Sequence, residues 1–270
     1  YKPQIYPLQT RKSLNIGCAQ MRWFPKVLTL LLAVAAASCA KNTVDAESIR
    51  VAVASNFAEP AKAIAAAFEK ESGLHVKLAF GSTGKHYAQI IYGGTFDAFF
   101  GADVRRPKLL EEKGHALAGS RFTYAIGKVA LWSPDENLVD DAAKVLSRGE
   151  YAHIALANPK LAPYGAAAQQ VLEKRKLWKL MRDRVVLGEN IAQTYQFVAS
   201  GNAQLGFVAL SQIKRPGKPI AGSYVVFDTA LHKPIAQQAV LLKDNNAARA
   251  FLAFLRNETA LQIIHGFGYD

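Results

Sequence analysis

The sequence predicts an α/β fold in two lobes, each a mostly parallel sheet flanked by helices. From residue 49 onward, short β-branched apolar runs alternate with longer alanine-rich runs of helical character. This alternation is typical of βαβ units, whose crossovers make neighbouring strands parallel. The pattern occurs in two units of roughly a hundred residues each. Two such units place a ligand in the cleft between them, beside the carboxyl ends of the strands.

The first unit contains three predicted strand–helix pairs. The predicted strands cover 49–55, 75–80 and 96–103, and the predicted helices cover 57–73, 85–94 and 105–114. Gly73 and Gly114 stand where the first and third helices end, a position that favours glycine.

The second unit begins near residue 127, and the chain later returns to the first. Residues 122–133 predict two strands or one long strand, and a single helix is predicted over 247–268. The strands predicted between them cover 153–159, 185–190, 203–211, 224–228 and 237–242, and the helices cover 165–177 and 191–201. We therefore predict a first lobe over 48–126, a second lobe over 127–229 and a return segment of the first lobe over 230–270.

Residues 1–40 are predicted to lie outside the fold. Met21 opens a positively charged start, followed by an apolar stretch too short to span a membrane and then by small residues. This pattern predicts a signal peptide over 21–40, with residues 1–20 as an over-extended N-terminus. Cys39 follows small residues and offers a site for lipid attachment, and simple cleavage beside it is the alternative. We expect an exported, periplasmic protein.

Charge and cysteine content exclude several functions. The formal net charge is +12, but the sequence has no run of five or six basic residues, so a nucleic-acid partner is not expected. Its two cysteines, Cys18 and Cys39, both precede the predicted fold and leave it without a disulfide or thiolate metal site. No pair among the six histidines has metal-binding spacing, so no metal cofactor is expected.

Residues 79–90, AFGSTGKHYAQI, superficially suggest a nucleotide-binding P-loop. That motif needs glycine where Ala79 stands and a hydroxyl residue where His86 stands. His86 is interpreted as a surface residue of the helix. The segment still offers Ser82 and Thr83 at a helix start, where they serve either as ordinary caps or as part of an anion site.

The same arrangement occurs at four strand-to-helix junctions, two in each predicted lobe. The residues concerned are Ser55 with Asn56, Ser82 with Thr83, Pro163 with Tyr164 and Gly165, and Glu189 with Asn190. Four helix starts facing one cleft would offer neutral donors able to hold a small tetrahedral oxyanion without a lysine or arginine. Asp97 and Asp103 are interpreted as capping residues, and the G-x-S-x-G nucleophile motif is absent. We therefore expect binding and not catalysis.

Residues 49–269 resemble the periplasmic molybdate-binding proteins of ABC importers. The segments that carry the resemblance include FGSTGKHYAQIIYGGTFDAFFGAD, LANPKLAPYGAAAQQVLEK and LGENIAQTYQFVASGNAQLGFVALSQ. The resemblance implies a type II, two-lobe periplasmic binding protein fold with the ligand in the interlobe cleft. It also implies a monomeric, non-catalytic protein without a cofactor, which binds molybdate or tungstate with high affinity and delivers it to a membrane permease. Sulfate or another tetrahedral oxyanion is the alternative ligand.

The resemblance further implies which residues bind the oxyanion, with no direct metal-ion ligand. They are Ser55, Asn56, Ser82, Thr83, Tyr164 and Ile191. Thr83 falls at the position of the main hydroxyl ligand, and Ile191 would donate its backbone N–H. Some family members add a tyrosine hydroxyl from a strand that here reads LGFVALS and has Ala209 at that position. The resemblance offers Tyr164 as the replacement.

Overall fold

The computed structural model describes residues 48–141 and 143–270. The predictions for residues 1–20 and 21–40, and for lipid attachment at Cys39, lie outside the described residues. Within the described ranges, no helix is both long enough and apolar enough to cross a membrane. The chain forms two five-stranded sheets with helices against their faces, which confirms the predicted α/β class.

The first sheet combines strands from both ends of the described chain. Its strands are β1 (Ser48–Ala54), β2 (His75–Gly81), β3 (Ala98–Gly101), β4 (Phe122–Gly127) and β10 (Ile235–Leu241), in the order β2-β1-β3-β10-β4. Its helices are α1 (Ala58–Ser72), α2 (Thr83–Ile91), α3 (Arg105–Glu112), α9 (Asn246–Phe254) and α10 (Glu258–Gly266). β1 is parallel to β2 and β3, whereas β10 is antiparallel to β3 and β4. Four of the five strands therefore run in one direction, and β10 is reversed.

The second sheet has the same arrangement. Its strands are β5 (Val129–Ser133), β6 (Ile154–Ala157), β7 (Val185–Gly188), β8 (Leu205–Ala209) and β9 (Ser223–Val226), in the order β7-β6-β8-β5-β9. The helices in this part of the chain are α4 (Val145–Arg148), α5 (Pro163–Lys174), α6 (Trp178–Met181), α7 (Ile191–Ala199) and α8 (Leu210–Ile213). β5 is the reversed strand, antiparallel to β8 and β9. Each sheet is thus mostly parallel, as predicted.

The chain crosses between the sheets twice. Residues 122–133 form two strands in different sheets, β4 and β5, with Lys128 alone between them. The return runs between β9 and β10. Gly127, the last residue of β4, pairs with Ile235, the first residue of β10, so both crossings leave the first sheet at one point. The lobe boundaries after residues 126 and 229 stay predictions.

The predicted single helix over 247–268 is wrong, because the chain forms two helices there. α9 ends at Phe254 and α10 begins at Glu258. Asn257 adopts an extended backbone between them, and its side-chain oxygen accepts a hydrogen bond from the Ala260 N–H at 2.9 Å. Asparagine is among the residues that N-caps favour, so this local cap starts a new helix where the apolar pattern alone suggests continuation.

Each sheet has an apolar core of its own. In the first, Phe251 of α9 packs against Phe68 of α1 and Phe100 of β3, with ring centroids 5.1 Å and 5.8 Å away. In the second, Phe207 of β8 stacks on Phe227 with centroids 5.4 Å apart. The core of the second sheet also takes in Ala54, Ala102 and Ile235 from the first sheet and its following loop, where the two sheets adjoin.

The cap at the start of α10 can be tested by substitution. Asn257→Ala should lower the free energy of unfolding by about 1 kcal/mol, because the side-chain acceptor for the Ala260 N–H is lost. Asn257→Asp is the matched control, since a carboxylate oxygen still accepts that bond and should retain most of the stability. Urea unfolding of the two variants measures the difference, and equal destabilisation by both would contradict the capping role.

Candidate functional site

A small cavity lies where four segments from the two sheets meet. Its lining comes from the ends of β1 and β2 and from the starts of α5 and α7. The residues of this central cavity are Ala54, Ser55, Asn56, Gly81, Ser82, Thr83, Ala162, Pro163, Tyr164 and Ile191. All six residues named from the sequence as ligand-binding candidates are among them, although they lie far apart along the chain.

The residues that line the central cavity are mostly buried and uncharged. Thr83 and Tyr164 are 1% exposed and Ile191 is 2% exposed. None of the ten lining residues carries a charged side chain, so the donors at the cavity are hydroxyl, side-chain amide and backbone N–H groups. Removal from water strengthens hydrogen bonds from such donors and makes an unpaired donor costly.

Two hydroxyl groups stand at the start of α2. Ser82 caps the helix, and its Oγ accepts a hydrogen bond from the Lys85 N–H at 3.2 Å. The Oγ1 of Thr83 accepts one from the Ala102 N–H at 3.1 Å. Because each oxygen accepts a bond from the backbone, each hydroxyl retains its own hydrogen to donate.

Ser55 and Asn56 follow β1, and their side chains have partners elsewhere in the protein. The Ser55 hydroxyl donates to the side-chain oxygen of Asn190 at 3.3 Å, which joins the two sides of the cavity. The Asn56 amide group donates to Gln237 at 2.7 Å and to the Tyr269 hydroxyl at 3.0 Å. Neither partner of Asn56 lines the central cavity, so Asn56 can reach a ligand there only through its backbone.

The starts of α5 and α7 supply backbone donors. The first residue of α5 is Pro163, which has no N–H, so Tyr164 carries the first one. At the start of α7, the Asn190 side chain accepts from the N–H groups of Ala192 and Gln193 at 2.9 Å and 3.1 Å. Ile191, the first helical residue, has no acceptor within the helix for its own N–H.

The Tyr164 hydroxyl faces a different part of the protein from the Tyr164 N–H. The hydroxyl oxygen accepts a hydrogen bond from the side-chain amide of Gln237 at 3.3 Å. Burial raises its pKa well above the ordinary value of tyrosine, so the group stays neutral. Sequence reasoning missed Gln237, which is fully buried in β10. The signal for it is the pair Gln237 and Gln238 inside the otherwise apolar strand IAQQAVL.

Charged residues occur at the rim of the cavity and are paired there. The Lys85 ammonium lies 2.8 Å from a carboxylate oxygen of Glu189, across the boundary between the two sheets. Arg106 pairs with Asp103 and also donates to the carbonyl oxygen of Lys160 at 3.0 Å. The capping interpretation of Asp103 agrees with its bond from the Arg106 N–H at 2.9 Å.

His86 is not a surface residue, contrary to the sequence interpretation. It is 4% exposed, and its ring lies edge-on to Phe96 and Phe99. Its Nδ1 lies 3.0 Å from the Gln89 side-chain oxygen, and its buried Nε2 has no hydrogen-bond partner. Helical periodicity turns this face of α2 toward the first sheet, which the short apolar pattern of the helix does not reveal.

A buried, uncharged cavity between two mostly parallel sheets that the chain joins twice defines a solute-binding protein. In residues 48–141 and 143–270, no group of three or more histidine, cysteine or acidic residues could hold a metal ion. Residues 49–270 match the family described as bacterial extracellular solute-binding protein. The chain belongs to this family, in the branch that contains the ModA molybdate-binding proteins.

Two curated relatives and one solved structure support this assignment. The chain is 48% identical to the molybdate-binding protein ModA of Azotobacter vinelandii, over 83% of this chain and 90% of the relative. It is 47% identical to ModA of Rhodobacter capsulatus, over 83% and 88%. The solved periplasmic molybdate-binding protein of Azotobacter vinelandii superposes with a TM-score of 0.80 at 40% identity, over 82% of this chain and 98% of that one.

Burial of His86 predicts a pH-dependent stability. Burial lowers the pKa of His86 below its ordinary 6.5, and the Gln89 hydrogen bond opposes only part of that shift. The unfolded chain therefore binds a proton more readily than the native protein, and the free energy of unfolding should fall as the pH drops below about 6.5. In His86→Gln this part of the pH dependence should disappear.

The matched control for that measurement is His265→Gln, which removes an exposed histidine from α10. Urea unfolding between pH 5 and 7.5 yields the slope for each protein, and the range brackets the ordinary histidine pKa. A wild-type slope in His86→Gln would contradict a buried neutral imidazole.

Proposed function

We propose that this protein binds molybdate in the periplasm and delivers it to the membrane permease of an ABC importer. One observation carries the proposal: hydroxyl and N–H donors from both sheets converge on a buried cavity with no charged residue, in a chain 48% identical to a molybdate-binding protein. Tungstate, which has the same shape and charge, should bind in the same way. The protein would act by binding and release, without catalysis or a cofactor.

The proposed ligand contacts follow from the donors at the cavity. Ser82 and Thr83 would donate through their hydroxyl groups and through α2, whose dipole favours an anion. Tyr164 and Ile191 would donate backbone N–H groups from the opposite side. At the end of β1, the Ser55 hydroxyl would give up its hydrogen bond to Asn190 and donate to the anion instead. Asn56 would donate through its backbone N–H.

Neutral donors favour one size and protonation state of the anion. Sulfate is smaller than molybdate and would not reach donors on both sides of the cavity equally well. Phosphate carries a proton at neutral pH, and backbone N–H groups cannot accept it. Selectivity would therefore come from geometry, since no charged side chain lines the cavity.

We further propose that the lobes, 48–126 with 230–270 and 127–229, open and close about the two crossings. Ligand that contacts both lobes would stabilise the closed form, which the permease would then recognise. The signal peptide over 21–40 would direct export, with Cys39 either lipidated or removed. The mature protein would act as a monomer without a nucleic-acid partner.

Isothermal titration of the wild-type protein tests the ligand. Molybdate and tungstate should bind most tightly, and sulfate and phosphate should bind more weakly or not at all. Preferred binding of sulfate would replace the proposed ligand by the alternative, and binding of no oxyanion would refute the proposal.

The Thr83 hydroxyl can be tested separately. Thr83→Val should weaken molybdate binding by about tenfold to a hundredfold, because a hydrogen bond to a charged group is lost in a buried site. Thr83→Ser is the control, since serine keeps both the donor and the acceptor for the Ala102 N–H. Equal affinities of the two variants in calorimetry would argue against a direct contact.

The ion pair between Lys85 and Glu189 at the rim should contribute modestly to closure of the two lobes around the ligand. Lys85→Gln and Glu189→Gln should each weaken molybdate binding by about twofold to fivefold at low salt, because both side chains are half-exposed. The loss should shrink at high salt, and the double variant should bind no worse than either single variant. Lys77→Gln, which removes an exposed lysine of β2, is the charge-matched control. Additive losses in the double variant would contradict the pairing.

A further inference from the structure

The backbone and the hydroxyl group of Tyr164 lie against different parts of the protein. Its backbone belongs to the start of α5 and lines the central cavity on the side of the second sheet. Its hydroxyl reaches the first sheet, where it accepts a hydrogen bond from Gln237 of β10 at 3.3 Å. One residue therefore connects the cavity to the opposite sheet.

The hydroxyl contacts the chain where both crossings leave the first sheet. Gly127 ends β4 and pairs with Ile235, the first residue of β10. A Cβ added at Gly127 would overlap the Tyr164 hydroxyl oxygen and would lie 2.8 Å from the Gln237 side-chain nitrogen. The Tyr164 hydroxyl can therefore lie against residue 127 only because that residue is glycine.

Gln237 extends the connection to the other wall of the cavity. Its side-chain oxygen accepts from the Asn56 amide at 2.7 Å and from the Tyr124 hydroxyl at 3.0 Å. Asn56 in turn lines the central cavity beside Ser55. A continuous buried path therefore runs from Tyr164 through Gln237 to Asn56, with one end on each side of the cavity.

We infer that Tyr164 is a positioning residue that couples ligand binding to the angle between the two sheets, with its hydroxyl against Gly127 and Gln237 in the closed form. The inference rests on the proposed function and assigns the hydroxyl to the crossings between the sheets instead of to the anion. The Tyr164 hydroxyl can lie against Gly127 only while the two sheets are close together. Closure of the cavity and formation of this contact therefore occur together.

A paired substitution tests this coupling. Gly127→Ala should still fold but should weaken molybdate binding by about fivefold to a hundredfold, because the added methyl blocks the seat of the hydroxyl. Adding Tyr164→Phe should recover part of that loss by removing the overlapping oxygen. Adding Tyr124→Phe is the matched control: it removes another buried hydroxyl bonded to Gln237, but one that Gly127→Ala does not overlap, and should recover nothing.

Wild-type affinity of Gly127→Ala, or equal losses in both double variants, would overturn the inference while leaving molybdate binding by the wild-type protein intact. If the wild-type protein binds no oxyanion in calorimetry, the proposed function and this inference fail together.

A second measurement needs no variant of Gly127. In the wild-type protein, NMR should show slower solvent exchange of the Gln237 side-chain amide when molybdate is added, because its bond to Tyr164 closes with the cavity. Small-angle scattering on the same samples should report a more compact protein. An amide exchange rate that molybdate leaves unchanged, in a protein that binds and compacts, would overturn the coupling even if Gly127→Ala failed to fold.

Discussion

Backbone N–H groups at the start of a helix have no acceptor within the helix, and burying them without one is costly. This protein buries the starts of α2, α5 and α7 around one cavity. Side-chain caps from Ser82 and Asn190 satisfy some of these groups, and the Gly84 N–H of α2 donates to the carbonyl oxygen of Leu161 at 2.9 Å. Tyr164 and Ile191, which carry the first N–H groups of α5 and α7, line the cavity. An anion rich in acceptor oxygens and free of protons is the ligand that such a surface stabilises.

The topology of the sheets supplies this arrangement. Parallel strands direct their carboxyl ends to one edge, so the loops after β1 and β2 meet there, and those after β6 and β7 do the same in the second sheet. One reversed strand in each sheet, β10 and β5, lets the chain cross over and return at nearly one point.

Charge and polarity are divided between the rim and the interior. The ion pair of Lys85 with Glu189 is half-exposed and therefore contributes little free energy. The buried bonds of Gln237 with Asn56, Tyr124 and Tyr164 contribute more to a unique geometry, because breaking one leaves a polar group unpaired in a dry environment. The contacts between the two sheets thus depend mainly on uncharged groups.

The sequence by itself determined the α/β class and the approximate strands and helices, because periodicity and polar residues at strand ends are local signals. Ser82 and Thr83 at the start of α2 are an example. The six candidate residues came from the family resemblance that the sequence carries. The sequence could not separate α9 from α10, because the Asn257 cap interrupts a helix that the continuous apolar pattern predicts to go on. Only the tertiary structure decided that His86 is buried, that the Asn56 side chain bonds Gln237, and that the Tyr164 hydroxyl lies against Gly127. Those outcomes depend on contacts between segments distant along the chain, which no local pattern encodes.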